Sequence, residues 1–212
     1  METLHDDPNR GFSSSVIERL REREVLLQNG DLVAYHYFTF NDFEKRKIVC
    51  MLENLVAQVA LHGLQTHQKS VTDILVQLYQ KYRNSLHRPS NSELSDALMD
   101  MVGAFEKGYF FIVVDALDEC SDNNILLKVL QSIHAQQKTR LRVLVSSRPE
   151  AGILETLNSL KFFSVPLETS VVDADIERYV DMRLTGSSRW EFLGQDLKDS
   201  IRKKLVTGSK GM

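Results

Sequence analysis

Residues 109–120 constrain this chain most: an unbroken apolar run, Tyr109 to Val114, meets three acids, Asp115, Asp118 and Glu119, within five positions. A run of that length, rich in β-branched and aromatic residues, reads as a strand buried on both faces of a parallel sheet. In open α/β sheets ligands sit just past the carboxyl ends of the strands. The acids therefore stand where a metal-bound phosphate or a water nucleophile is handled. A fold of the α/β class follows, a three-layer parallel sheet with helices on both faces.

The rest of the chain alternates in the same way. Ser15 and Glu18 have capping-box spacing, and an apolar helical stripe through Ile17 and Leu20 runs on to Gly30. Residues 32–40 read as a second buried strand. Asn41 or Asp42 opens a helix ending at Gly63, Ser70 opens another, and the stripe from Leu94 to Phe105 marks a third that stops at Gly108. A helix carries Ile125 to Ile133. Residues 141–145 form a strand ending in Ser146-Ser147-Arg148-Pro149, with Pro149 in the first turn of the next helix. Residues 162–167 read as a fourth, weaker strand, and 173–184 and 190–206 as helices broken at Gly186.

Composition excludes several classes. A chain of 212 residues with 42% hydrophobic and 26% charged residues is ordinary for a globular protein. A net charge of −3 with both signs interspersed is unlike a nucleic-acid module. Two cysteines, Cys50 and Cys120, build neither a disulfide framework nor a zinc site and fit a reducing compartment. The first ten residues are too polar for a signal peptide, and no apolar run approaches the roughly 20 residues that span a bilayer. The expectation is a cytoplasmic protein with no nucleic-acid or membrane partner.

A carboxylate at the end of a buried strand is held rigidly and can hold Mg²⁺, mostly through water. Asp115, directly after the strand, is the metal candidate. Asp118 and Glu119, further into the loop, are the candidates for orienting or deprotonating a water. The alternative is a solvated turn in which Asp118 or Ser121 caps the next helix. Arg148 follows its strand by two small serines and can meet phosphate charge at the same sheet edge; its alternative is an exposed loop arginine.

At these residues the chain resembles a known family. Residues 111–120 are similar to the Walker B segment of fungal NACHT proteins, grouped with the nephrocystin-3-like N-terminal domains. Residues 143–150 resemble their sensor strand, 33–38 the strand after their first helix, and 175–180 the start of their helical extension. The chain's last four residues look like the start of a further family segment. The resemblance implies a STAND-class P-loop NTPase of NLR-like signalling proteins that binds ATP or GTP with Mg²⁺ and self-associates through NACHT-like surfaces. Longer relatives are expected to carry ankyrin, WD40 or TPR repeats. It further implies that Asp115 holds Mg²⁺, Asp118 and Glu119 serve hydrolysis, and Arg148 contacts the terminal phosphate.

One part departs from that pattern. A phosphate loop needs glycines, a lysine and a Ser or Thr. The corresponding residues are Asp6, Asp7, Pro8, Asn9, Arg10, Gly11 and Phe12. Asn9 falls where the lysine belongs and Arg10 where the Ser or Thr belongs; Pro8 lacks an N–H donor. Removing one partner of a buried charge pair costs about 2–5 kcal/mol, and each ~1.4 kcal/mol is a tenfold loss of affinity. The apolar strand that precedes the loop is not found either, which leaves strand 141–145 with an open edge. The expected division is a polar segment over 1–12, an incomplete NACHT-like core over 13–170 and the start of a helical extension over 171–212. The expected function is a degenerate signalling module that binds no cofactor tightly and works by protein contact. Two alternatives stay open: an NTPase switch whose phosphate loop lies upstream in a longer product, and a structural α/β scaffold.

Overall fold

The computed structural model describes residues 12–27, 30–105, 108–135, 140–165, 169–185, 190 and 192–208. The chain divides into two compact units at Phe162/Phe163.

The first unit is built on three parallel strands, β1 (Leu32–Tyr37), β2 (Phe110–Asp115) and β3 (Leu141–Val145), in the spatial order β1-β2-β3. Leu32 stands opposite Phe110 and Phe110 opposite Leu141, so the three strands run level and end together. Strand alternation sorts the side chains onto two faces. Ala34, Ile112, Val114 and Val143 join the main core with α2 (Ile48–Gln65), α4 (Asn91–Ala104), α5 (Asn123–Ala135) and α6 (Ala151–Ser159). Val33, Val113 and Leu144 face the other way, where Ile17 of α1 (Phe12–Leu27) is buried against them. Helices on both faces explain why the strands are mostly apolar, with His36 and Arg142 as the polar residues inside β1 and β3. α3 (Lys69–Tyr82) packs beside α2 and α4.

Two close approaches fix this arrangement. Gly108 has φ +79°, and a Cβ there would sit 2.5 Å from the Gly30 carbonyl, so the entrances of β1 and β2 meet backbone to backbone. Asp31 ties the same corner by accepting the Tyr109 N–H at 2.7 Å. Gly63, read from sequence as a helix stop, lies inside α2, which continues to Gln65. A Cβ there would come within 2.8 Å of Val71 Cγ1, so glycine lets α3 approach α2. Among the described residues α2 is the one helix long and apolar enough to cross a membrane; half of it is buried in this core.

The two edges of the sheet differ. On β1, Tyr35 faces outward, and Gln58 of α2 satisfies it as a neighbouring strand would. The Gln58 Oε1 accepts the Tyr35 N–H at 3.1 Å, and the Gln58 Nε2 donates to the Tyr35 carbonyl at 2.8 Å. On β3, Arg140 and Ser146 bond to β2, so Leu141, Val143 and Val145 point their backbone groups away from it. Arg142 covers the Leu141 carbonyl at 3.0 Å, and among the described residues β3 has no second strand beside it.

The expected fourth strand is corrected in part. Phe162 to Val165 form no strand; the Phe162 N–H bonds to the Leu157 carbonyl, and its ring stacks at 6.0 Å on His134 of α5. Pro166 and Leu167 lie outside the described residues. The second unit contains α7 (Thr169–Thr185) and α8 (Gln195–Gly208), joined by Arg202, which reaches Glu177 at 2.8 Å and Asp181 at 3.1 Å. α8 begins after Gly194, five residues later than the apolar pattern suggested. The Gly186 break, residues 6–11 of the segment in the phosphate loop's place and the last four residues lie outside the described part; Phe12, the last of that segment, opens α1.

Candidate functional site

Because the strands end level, the groups after β2 and β3 share one rim. Asp115 closes β2 and is half-buried. Its Oδ1 accepts the Ser13 hydroxyl, from the first turn of α1, at 2.5 Å, and it also accepts the Ser146 hydroxyl. Ser146 is the first residue after β3. Its Oγ accepts the Ala116 N–H at 3.0 Å and its carbonyl accepts the Leu117 N–H at 2.9 Å. Ala116 is held at φ 56°, ψ 56°, a left-handed conformation rare for a residue with a Cβ. Such strain persists only where surrounding bonds hold it. It turns the chain sharply into the 3-10 turn Leu117–Glu119.

That turn directs the next two acids apart. The Asp118 side chain is 5% exposed and faces the loop after β3. Its Oδ1 accepts the Arg148 N–H at 3.0 Å and the Ser147 hydroxyl at 3.4 Å, and its Oδ2 lies 3.6 Å from Arg148 Nε. Asp118 does not cap α5. Arg148, half exposed, spends its charge on Asp118. The carboxylate is nearly buried while the guanidinium is half in water, so solvent screens the pair and the Arg148 N–H bond carries much of the hold on Asp118. Glu119 turns toward β1, where its Oε2 accepts the Phe40 N–H at 2.7 Å.

The four residues singled out from sequence thus share one rim, but they do not converge on a point. Asp118 pairs with Arg148, Asp115 sits with two serines, and Glu119 faces the other loop. Sequence reasoning did not name Ser13 or assign Ser146 a role. The signal for Ser146 was a small hydroxyl residue placed directly after an apolar strand. Ser13 was masked by the capping-box spacing of Ser15, which the structure places inside α1.

Asp115 with the Ser13 and Ser146 hydroxyls is an oxygen set of the kind a hard cation takes, and by donor chemistry it fits Mg²⁺. Among the described residues no group of three or more His, Cys, Asp or Glu is arranged around a metal. A triphosphate fits less well, since Arg148 is already paired with Asp118. Cys120, behind the turn, is buried, and burial pushes its thiol up to about 11, so it is a packing residue at neutral pH. A depression of about 420 Å³ on the α7–α8 unit is lined by Glu177, Asp199, Arg202 and Lys203, charges of both signs.

No curated protein and no solved structure matches the chain significantly. A family model described as nephrocystin 3, N-terminal, matches residues 12–148. That span opens with α1 and closes on Arg148, so it takes in the whole rim, and the chain belongs to the nephrocystin 3 N-terminal family.

Proposed function

We propose that this chain is a NACHT-type signal-transduction module of the STAND class, as in fungal NLR-like proteins, in a degenerate form that neither binds nor hydrolyses ATP or GTP by itself. In this reading residues 111–120 are a Walker B segment whose acids have become structural. It works in the cytoplasm through protein–protein contact, including self-association. One observation carries the reading: Asp115, Asp118 and Glu119 each already accept hydrogen bonds from the protein, and Arg148 is held by Asp118. Residues 1–11, directly before α1, contain no lysine and one glycine to grip phosphate.

Titration with a fluorescent ATP analogue in millimolar Mg²⁺ tests this. Saturable binding is expected to be absent through the high-micromolar range, because losing the lysine and the loop amides removes several kcal/mol. A micromolar Kd that weakens in Asp115→Ala overturns the reading.

A second reading is favoured by Ser13 beside Asp115. In P-loop proteins a hydroxyl at the start of this helix and an acid at the strand end share Mg²⁺. On that reading Asp115 would hold the ion, Asp118 and Glu119 would serve hydrolysis, and a longer product would bring its own phosphate loop. Nucleotide binding by the protein of an extended transcript, with none by this chain, is the outcome that reading requires.

A further inference from the structure

Residues 38–47, which join β1 to α2, are fastened at several points. The Phe38 N–H bonds to the Asp115 carbonyl at 3.2 Å, and the Phe40 N–H to the Glu119 carboxylate at 2.7 Å. The Arg46 carbonyl accepts both the N–H and the hydroxyl of Ser121, at 2.9 and 3.1 Å, and Arg46 Nε lies 3.4 Å from the Glu119 carbonyl. At the far end the Lys45 carbonyl accepts from Nε2 of His36 at 3.2 Å. Between these points the loop is open to solvent. Phe40 is 52% and Phe43 69% exposed, with the Arg46 guanidinium 5.0 Å from the Phe40 ring centre and the Lys47 ammonium 4.5 Å from that of Phe43. Inside the loop Thr39 and Asp42 accept the N–H groups of Asn41, Glu44 and Lys45, whereas Phe40 is fastened from outside it by the Glu119 carboxylate, which belongs to the turn after β2.

We propose that Glu119 is a strap: its carboxylate fastens the exposed Phe40–Phe43 segment to the acidic turn, so that loop and turn open together. A backbone N–H bonded to a carboxylate is stronger than a neutral hydrogen bond. The Phe40 end of the loop is therefore held to the turn most firmly while the carboxylate is aimed at its N–H. A donor or cation that draws Glu119 away releases two large apolar side chains at the ligand-handling rim of the sheet.

Limited proteolysis tests the strap, because the loop carries chymotrypsin sites at Phe40 and Phe43 and trypsin sites at Lys45, Arg46 and Lys47. Cleavage of a locally opening segment follows the population of its open form. In Glu119→Ala, cutting within 40–47 is expected to quicken roughly five- to tenfold. Tryptic cutting after Arg83, between α3 and α4, serves as the internal reference and should keep its rate. Glu119→Gln keeps an acceptor oxygen and should retain most of the protection, with Tm within about 2 °C of the parent in both variants. An unchanged rate in Glu119→Ala overturns the proposal, as does a speed-up spread equally over all sites with a matching fall in Tm. Nucleotide binding by the chain would overturn the proposed function and leave this result as it stands.

Discussion

Ser146 closes four hydrogen bonds where β3 ends: its N–H to Val114, its carbonyl to the Leu117 N–H, and its hydroxyl to both Asp115 and the Ala116 N–H. The hydroxyl holds the left-handed turn at Ala116 and, through it, the separate directions of Asp118 and Glu119. Ser146→Ala leaves the Ala116 N–H without its acceptor and Asp115 with one hydroxyl partner instead of two. An orphaned polar group costs about 1–3 kcal/mol, so the urea midpoint should drop by that equivalent with the m-value unchanged. Position and partnership were unequally legible in the sequence. Asp115 could be placed because a continuous apolar run delivers it to a strand end. The bond between Ser146 and Asp115 crosses 31 positions, and a left-handed alanine leaves no compositional trace.

At the scale of elements, the three strands were readable because burial on both faces demands uninterrupted apolar sequence. Helix starts were less so. Asp42 takes the N–H groups of Glu44 and Lys45, as a cap would, but the chain turns through 43–47 before α2 begins at Ile48. A capping box does exist, formed by Ser90 and Glu93 at the start of α4, just ahead of the apolar stripe that begins at Leu94. The fourth-strand reading shows the limit of periodicity. The apolar content of 162–165 was real, but a strand needs a neighbour, and Phe162 had a better partner in His134.

Elements also carry a pH dependence. His36 in β1 and His62 in α2 are buried, and burial lowers both below the ordinary histidine value of 6.5. His36 has no room for a second proton: Nε2 donates to the Lys45 carbonyl, and Nδ1 accepts from the Asn54 amide. With the folded value below the unfolded one, the unfolded chain binds protons first on acidification. Stability is then full above 6.5 and is lost as pH falls toward the folded values. The urea midpoint should therefore decline between about pH 7 and 5. A His36→Gln/His62→Gln double variant should flatten that decline, and an equally steep profile in it would count against this account.

Across the whole molecule, the α/β class was legible from the alternation of apolar runs and stripes, whereas the boundary at Phe162/Phe163 was not. No composition shift marks it; it appears only in where contacts cease. The contrast between the two sheet edges has a consequence at this scale. The Gln58 amide shuts β1 at its midpoint, while among the described residues no strand lies beside the outward groups of Val143 and Val145. A body with one shut and one receptive side can mate with a like body but cannot chain onward into a fibre. Light scattering over rising concentration should then never exceed twice the chain mass. Val143→Pro, which removes an outward N–H and leaves the β2 ladder untouched, should hold the mass at that of a single chain.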